Sequence, residues 1–225
     1  MIVSVSGLIG SGKDTIASYL INFHHFKKMS FASTLKDAAA AVFSWDREML
    51  EGSTASSREW REQRDDWWSS RLGMEITPRF VLQNWGTEVM RNHFHPEIWI
   101  ASLENKLREC KDNVVITDAR FFNELDAIKR SGGITMRVKR GIDPEWFKDA
   151  ANANLGPKHI GWALGRDKLQ KLKIHPSEYS SVGYNYDHII QNAGTIDELY
   201  NEVEGIISNA SQASDHPDAK LRFAA

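Results

Sequence analysis

The sequence predicts an α/β chain built in three layers, a mainly parallel sheet with helices on both faces. Three observations carry that expectation. A β-branched run at residues 1–6 stops at a glycine loop that opens into helical sequence; further short apolar strands recur at NVVIT, ITMRVK and DHIIQN; and stretches with helical spacing separate them. Strands that alternate with helices favour crossover connections and parallel pairing, which brings ligands to the carboxyl ends of the strands.

Taken in order, Ile2, Val3 and Val5 make residues 1–6 a buried strand, and a helix should start at Lys13. Residues 29–32 read as a second short strand. Thr34-Leu-Lys-Asp37 then has capping-box spacing ahead of the alanine-rich DAAAAVF. Between Trp45 and Gly73 the chain sets Trp45, Trp60, Trp67 and Trp68 among Arg and Glu with little strand pattern, which predicts a helical insertion. Core packing accounts for most such tryptophans, with stacking on a base the alternative for one of them. Thr77-Pro78 offers an N-cap and a proline at the first helical position for a helix through VLQNWGTEVMRNHF, and another helix follows Pro96.

The strand at 113–117 ends at Asp118, and FFNELDAIKR is helical up to Gly132-Gly133. Residues 141–174 fit neither period. After DHIIQN, a capping box from Thr195 to Glu198 opens a last helix, and beyond about Ser208 the chain reads as a frayed, flexible tail over 208–225. We expect one domain over 1–207, with a helical region at 33–100 and a lid-like insertion at 141–186.

Composition narrows the function. With 225 residues, one sizeable core fits the length better than two independent domains. Lys plus Arg (28) nearly balances Asp plus Glu (30), so no global field points to nucleic acid or a membrane surface, and an anionic ligand must be met by local clusters. Cys110 is the only cysteine, which suits a reducing cytoplasm. The start, MIVSVSG, lacks the basic and apolar regions of an export signal, so a cytoplasmic chain is expected. His24-His25 and His93-Phe-His95 do not sit with carboxylates or cysteines at transition-metal spacing.

The strongest motif is Gly7-Leu-Ile-Gly10-Ser-Gly12-Lys13-Asp14-Thr15, between a first strand and a first helix. Glycines at 7, 10 and 12 let successive N–H groups and the helix N-terminus converge on polyphosphate oxygens, while Lys13 reaches the β and γ oxygens. This is a phosphate loop, and it predicts the P-loop NTPase fold with a nucleoside triphosphate as ligand. Asp14 occupies the usual position of the Mg²⁺-binding hydroxyl, which here comes one residue later at Thr15; we take Thr15 as the candidate Mg²⁺ ligand.

A phosphate loop alone does not separate kinases from GTPases or motor ATPases. No NKxD guanine signature follows the central strands. Transfer between two anionic substrates needs cations in several segments, and Lys36, Arg58, Arg79, Arg91, Arg120 and Arg137 are the candidates. Asp118-Ala-Arg120, at the carboxyl end of a strand, is the best placed: Asp118 to hold Mg²⁺ through water or orient the acceptor, Arg120 to reach the transferred group. Asp118 as a cap for the following helix is the alternative.

On these residues the chain resembles the bacteriophage deoxynucleoside monophosphate kinases, a family of P-loop nucleotide kinases. GSGKDT, FASTLKDAAA, TPRFVLQNWGTEVMR with a later Trp99, TDARFFNE, HPSE and IIQNAGTIDEL occur in the family's order over most of 1–207, leaving out 141–174. The resemblance implies an ATP- and Mg²⁺-dependent enzyme of the host cytoplasm, often a homodimer, acting on a deoxynucleoside monophosphate. It implies that Lys36 and Arg58 hold the acceptor phosphate. Leu35, Arg79, Gly86, Thr87 and Glu88 would line the acceptor pocket near Trp99, with Asp118, Arg120 and Glu124 completing it. Gly10, Gly12, Lys13, Asp14, Thr15 and Ile16 would bind ATP, Asn192 would lie beside the adenine, and Arg137 to Arg140 would border a lid. Lys13, Asp118 and Arg120 form the expected catalytic set. Two other readings stay open at this point: a dephospho-coenzyme A kinase, which phosphorylates a hydroxyl and would need a base such as Asp118, and a nucleotide-gated module that hydrolyses ATP slowly.

Overall fold

The computed structural model describes residues 1–214, which fall into two compact units: Met1–Met29 with the chain from Cys110 onward, and Ser30–Glu109.

The first unit is built on a five-stranded parallel sheet in the order β2-β3-β1-β4-β5. The strands are β1 (Ile2–Ser6), β2 (Lys27–Met29), β3 (Val114–Ile116), β4 (Ile134–Lys139) and β5 (His188–Gln191). Val3 sits opposite Val115 on one side and Ile134 on the other, so β1 is the central strand. Helix α1 (Lys13–His24) carries the chain outward to β2, and α8 (Phe122–Arg130) carries it the other way, from β3 across β1 to β4. Right-handed crossovers in opposite directions put these helices on opposite faces of the sheet, which gives the three layers. Val3, Val5, Met136 and Ile190 form one core with Ile16, Ala17 and Leu20 of α1 and with Leu199, Val203 and Ile207 of the last helix, α12 (Ile196–Ser214).

The second strand lies at 27–29, two residues earlier than the 29–32 expected. Phe26 is buried, Lys27 donates its N–H to the Asn113 carbonyl at 2.7 Å, and Ser30 already belongs to a turn closed by Ser33. The final capping box forms as expected: Thr195 N–H donates to Glu198 Oε2 at 2.7 Å and Glu198 N–H to Thr195 Oγ1 at 3.2 Å. The expectation of a frayed chain from about Ser208 is corrected, because α12 continues to Ser214 with Ile207 buried; the rest of that expected tail, 215–225, lies outside the described residues.

Residues 141–174, which show no clear period, form α9 (Phe147–Asn154) and α10 (Trp162–Lys171), followed by the single turn α11 (Pro176–Tyr179). Their core is small: Ala150, Ala153, Leu169 and Val182, with Trp146, Phe147 and Tyr179 packed against it. An apolar face made mostly of alanine gives a weak signal, which is why its helical period is hard to read.

The second unit is helical: α2 (Ser33–Phe43), α3 (Arg47–Glu51), α4 (Ala55–Glu62), α5 (Asp66–Leu72), α6 (Pro78–Gln83) and α7 (Ile98–Glu109). Thr77 caps α6 through the Phe80 N–H, with Pro78 at the first position as expected. The capping box at Thr34 does not form. Helix α2 starts a residue earlier, and the Thr34 hydroxyl is engaged with the Ser102 hydroxyl at 2.8 Å. From Asn84 to Phe94 the helix widens to a π-helix, and His95 N–H closes it on the Met90 carbonyl at 2.8 Å. Such a stretch is rare and tends to occur at functional sites. Trp45, Trp60, Trp68 and Trp85 pack on a core of Ala39, Phe43, Leu50, Ile76 and Val81, whereas Trp67 is exposed. Among the described residues no helix is long and apolar enough to cross a membrane.

Candidate active site

The glycine loop joins β1 to α1 at the carboxyl end of the central strand. Gly12 precedes the helix at φ 105°, and a Cβ there would lie 2.4 Å from Asn192 Nδ2, so both conformation and space demand glycine. Ser11 N–H turns back to the Leu8 carbonyl at 3.1 Å, and the Ser11 carbonyl accepts from Asn192 Nδ2 at 2.8 Å. The loop is thereby fixed from within and from β5. The first N–H groups of α1 have no acceptor inside the helix and add their partial positive charge to that of Lys13.

Lys13 lines two cavities in this unit. One, of about 360 Å³, is bordered by Gly10, Gly12, Asp14, Thr15, Arg140 and Asn192, with the apolar Ile196 and Leu199. The other, of about 330 Å³, is bordered by Leu8, Arg120, Arg137, Trp146, Phe147 and Tyr186. Asp14 is exposed and lies 3.9 Å from Lys13 Nζ. Ile16 turns its side chain fully into the core, and its N–H is taken by the Gly12 carbonyl at 3.1 Å.

In the second cavity Arg137 is held by Asp143 at 2.5 Å and stacks on the Phe147 ring, 4.3 Å from its centroid. Burial pushes the Tyr186 phenol up, against the pull of Ser181, Ser6 and the charge of Arg137, so it stays a protonated donor at neutral pH. Arg120 is exposed; its main-chain N–H and that of Phe121 donate to Glu124 Oε2 at 2.8 and 3.3 Å. Glu124 is buried, and its carboxylate caps the start of α8. Asp118 is half-buried and does not border the cavity that Thr117, Ala119 and Arg120 do.

The remaining expected residues belong to the helical unit. Lys36 is largely buried and paired with Glu51 at 2.6 Å; Arg79 is paired with Glu62 at 2.8 Å; Arg58 donates to the carbonyls of Gly52 and Ser53. Burial pushes the Glu51 carboxyl up, but bonds from Lys36 and Arg47 outweigh it and leave the group below its ordinary value. Leu35 is buried against Gly86, and the Gly86 carbonyl accepts from the indole of buried Trp99 at 2.9 Å. Trp99 therefore anchors the widened helix at Gly86 through its backbone. Thr87 and Glu88 are exposed, with Glu88 Oε2 accepting from Asn92.

No family model matches the chain. A mimivirus chain (Acanthamoeba polyphaga mimivirus) named as a deoxynucleotide monophosphate kinase is 30% identical over 227 residues, covering 94% of this chain and 98% of the relative. The chain belongs to the deoxynucleoside monophosphate kinase family. A second relative, the deoxynucleoside-5'-monophosphate kinase of Escherichia phage T5, is 24% identical over 92% of this kinase and 91% of its own length. Solved structures similar to the kinase include a shikimate kinase from Aquifex aeolicus, with 14% identity, a TM-score of 0.42 and coverage of 96% and 100% of the two chains. A gluconokinase from Sinorhizobium meliloti gives 13%, 0.40, 95% and 97%. Likeness at that level decides nothing about substrate.

Three groups of this kinase escaped the sequence reading. Trp146 and Phe147 come from the segment without a period, Tyr186 lies just ahead of β5, and Arg61 is one of several arginines in a charged helix.

Proposed function

We propose that this kinase transfers the γ-phosphate of ATP to the phosphate of a deoxynucleoside monophosphate, giving the diphosphate, in the cytoplasm. The observation that carries the reading is Lys13 at the border of two cavities, because one ammonium can then serve both the donor phosphates and the group in flight. The cavity with Thr15, Arg140 and Asn192 takes ATP, its adenine toward Ile196 and Leu199 and its phosphates on the loop. Arg120 and Arg137 in the other neutralise charge on the transferred group. Lys36, Arg58 and Arg79 of the helical unit supply positive charge for the acceptor phosphate, and Leu35, Gly86, Thr87, Glu88 and Trp99 shape its pocket.

Mg²⁺ fits the donor side in chemistry: Thr15 and Asp14 both line that cavity, and a hydroxyl and a carboxylate are the hard oxygen donors the ion takes. When bound, the ion neutralises the β and γ oxygens. Thr15 would hold it, while Lys13 and the loop N–H groups orient the same oxygens. A monophosphate oxygen is already ionised at neutral pH, so the attack is in line and needs no general base. Transfer to a hydroxyl would need one, and Asp118, the candidate, is not among the groups that border the cavity of Arg120. That favours a phosphate acceptor over the dephospho-coenzyme A alternative.

The test is to incubate the kinase with Mg²⁺·ATP and separate samples of the deoxynucleoside monophosphates, ribonucleoside monophosphates and dephospho-coenzyme A, then resolve the products chromatographically. Deoxynucleoside diphosphates support the proposal. Coenzyme A as the sole product, or ADP and phosphate alone, would refute it.

A further inference from the structure

Two guanidinium groups lie against the turn between α3 and α4. Arg58 donates from Nη1 to the Gly52 carbonyl at 3.4 Å and the Ser53 carbonyl at 3.2 Å. Arg61, on the same face of α4, lies flat against Gly52: a Cβ there would be 2.1 Å from both Cζ and Nη2 of Arg61. Gly52 ends α3 at φ 65°, so its conformation and the arginine above it both require glycine.

The cations around this turn differ in their partners. Lys36 has Glu51, Arg47 has Asp37 and Glu51, and Arg79 has Glu62. Arg61 Nε is buried and finds no hydrogen-bond acceptor among the described residues. Burial, then the charges of Arg79 and Arg58, pull its guanidinium below the ordinary value, against an opposing pull from Glu62 and Glu51. A half-buried cation held beside a second cation, with its Nε unsatisfied, is an unfavourable arrangement unless something else completes it. The completing group must be anionic and present several acceptor oxygens to two guanidinium forks. A phosphate monoester dianion has that chemistry, and a single carboxylate meets it less fully.

We propose that Arg61, with Arg58, forms the binding site for the phosphate of the monophosphate acceptor over the Gly52–Ser53 turn. The proposal rests on the kinase reading above for the identity of the acceptor, and on the guanidinium pair for the place where its phosphate is held. Arg61 is fixed on a helix and packed against a glycine, so it is set in position before the substrate arrives.

The experiment compares the full-length wild type with Arg61→Gln and Arg61→Lys. Four readouts are taken: the Kd for each deoxynucleoside monophosphate and for the matching unphosphorylated deoxynucleoside by calorimetry, the KM for each substrate, and the thermal midpoint with and without inorganic phosphate. Arg61→Gln should raise Kd and KM for the monophosphate by about tenfold or more, leave the deoxynucleoside Kd and the KM for ATP unchanged, and lose the stabilisation that inorganic phosphate gives the wild type. Arg61→Lys should recover part of the loss, since it keeps the charge without the fork. Without phosphate, Arg61→Gln should melt no lower than the wild type, because an unsatisfied cation has been removed; a purely structural arginine would lower the midpoint instead. If the wild type phosphorylates monophosphates and Arg61→Gln matches it in KM and in its response to phosphate, the site is overturned while the kinase reading stands. If the wild type phosphorylates none of them yet phosphate still stabilises it through Arg61, the anion site stands and the acceptor reading falls.

Discussion

Asn192, directly after the last strand, donates its side-chain amide to the Ser11 carbonyl at 2.8 Å across 181 positions of sequence, while its own N–H is held by the Lys139 carbonyl at 2.8 Å. The phosphate loop is therefore braced by the strand end that also walls the cavity proposed for ATP. Asn192→Ala should leave the Ser11 carbonyl without its partner, at a cost of about 1–3 kcal/mol, and loosen the loop. The KM for ATP should rise roughly fivefold or more while the monophosphate KM changes little. Initial rates with ATP varied check this, and an unchanged KM for ATP would remove Asn192 from the donor site.

Among the described residues, the ion pair of Lys13 is a long contact, 3.9 Å, with the exposed carboxylate of Asp14. Its contribution to the fold is small for that reason, while the proposed mechanism gives it a large part in phosphoryl transfer. Lys13→Ala should lower turnover by about 10²-fold or more and move the unfolding midpoint very little. A large loss of stability would mean the side chain is structural.

Thr15 and Asp14 compete for the metal assignment. Thr15→Ala should raise the Mg²⁺ concentration needed for half-maximal rate more than Asp14→Ala does, since both residues line the cavity proposed for ATP but the Asp14 carboxylate is mostly in solvent. Titration of Mg²⁺ at saturating ATP decides, and the reverse ranking would transfer the role to Asp14.

Glu51 links Lys36 at 2.6 Å to Arg47 at 2.5 Å, and these bonds hold its carboxyl below the ordinary carboxylate value against the opposing effect of burial. For a depressed carboxylate the stabilisation is present above the unfolded value and is lost as pH falls through the folded one. Glu51→Gln should therefore destabilise the kinase at neutral pH by an amount on the order of 1 kcal/mol, after allowing for solvent screening. The difference should shrink as acid is added below 4.5. Urea unfolding of both proteins at neutral and acidic pH measures it; a difference independent of pH would mean that packing, and not charge, is at work.

What the sequence showed clearly were signals contained in a few adjacent residues. The glycines and Lys13 of the phosphate loop, the Thr77-Pro78 helix start and the Thr195–Glu198 box each rest on local hydrogen bonds, and each stands where it was read. Thr34 shows how a local signal fails: its hydroxyl is claimed by Ser102, a partner 68 residues away. The widened helix at 84–94 has no composition cue, and the alanine-faced helices at 147–171 bury too little apolar surface to impose a period. Arg61 was illegible for another reason. In REWRE it is one charge among several, and only the packing against Gly52 sets it apart from Arg58 and Arg79.

Transfer of the γ-phosphate to an existing phosphate is tested most directly by phosphorus NMR of the kinase turning over Mg²⁺·ATP with each deoxynucleoside monophosphate. The account predicts that the monophosphate signal is replaced by the paired signals of a new diphosphate anhydride as the γ signal of ATP disappears in equal amount. Growth of inorganic phosphate with the monophosphate signal intact, for every base, would contradict it.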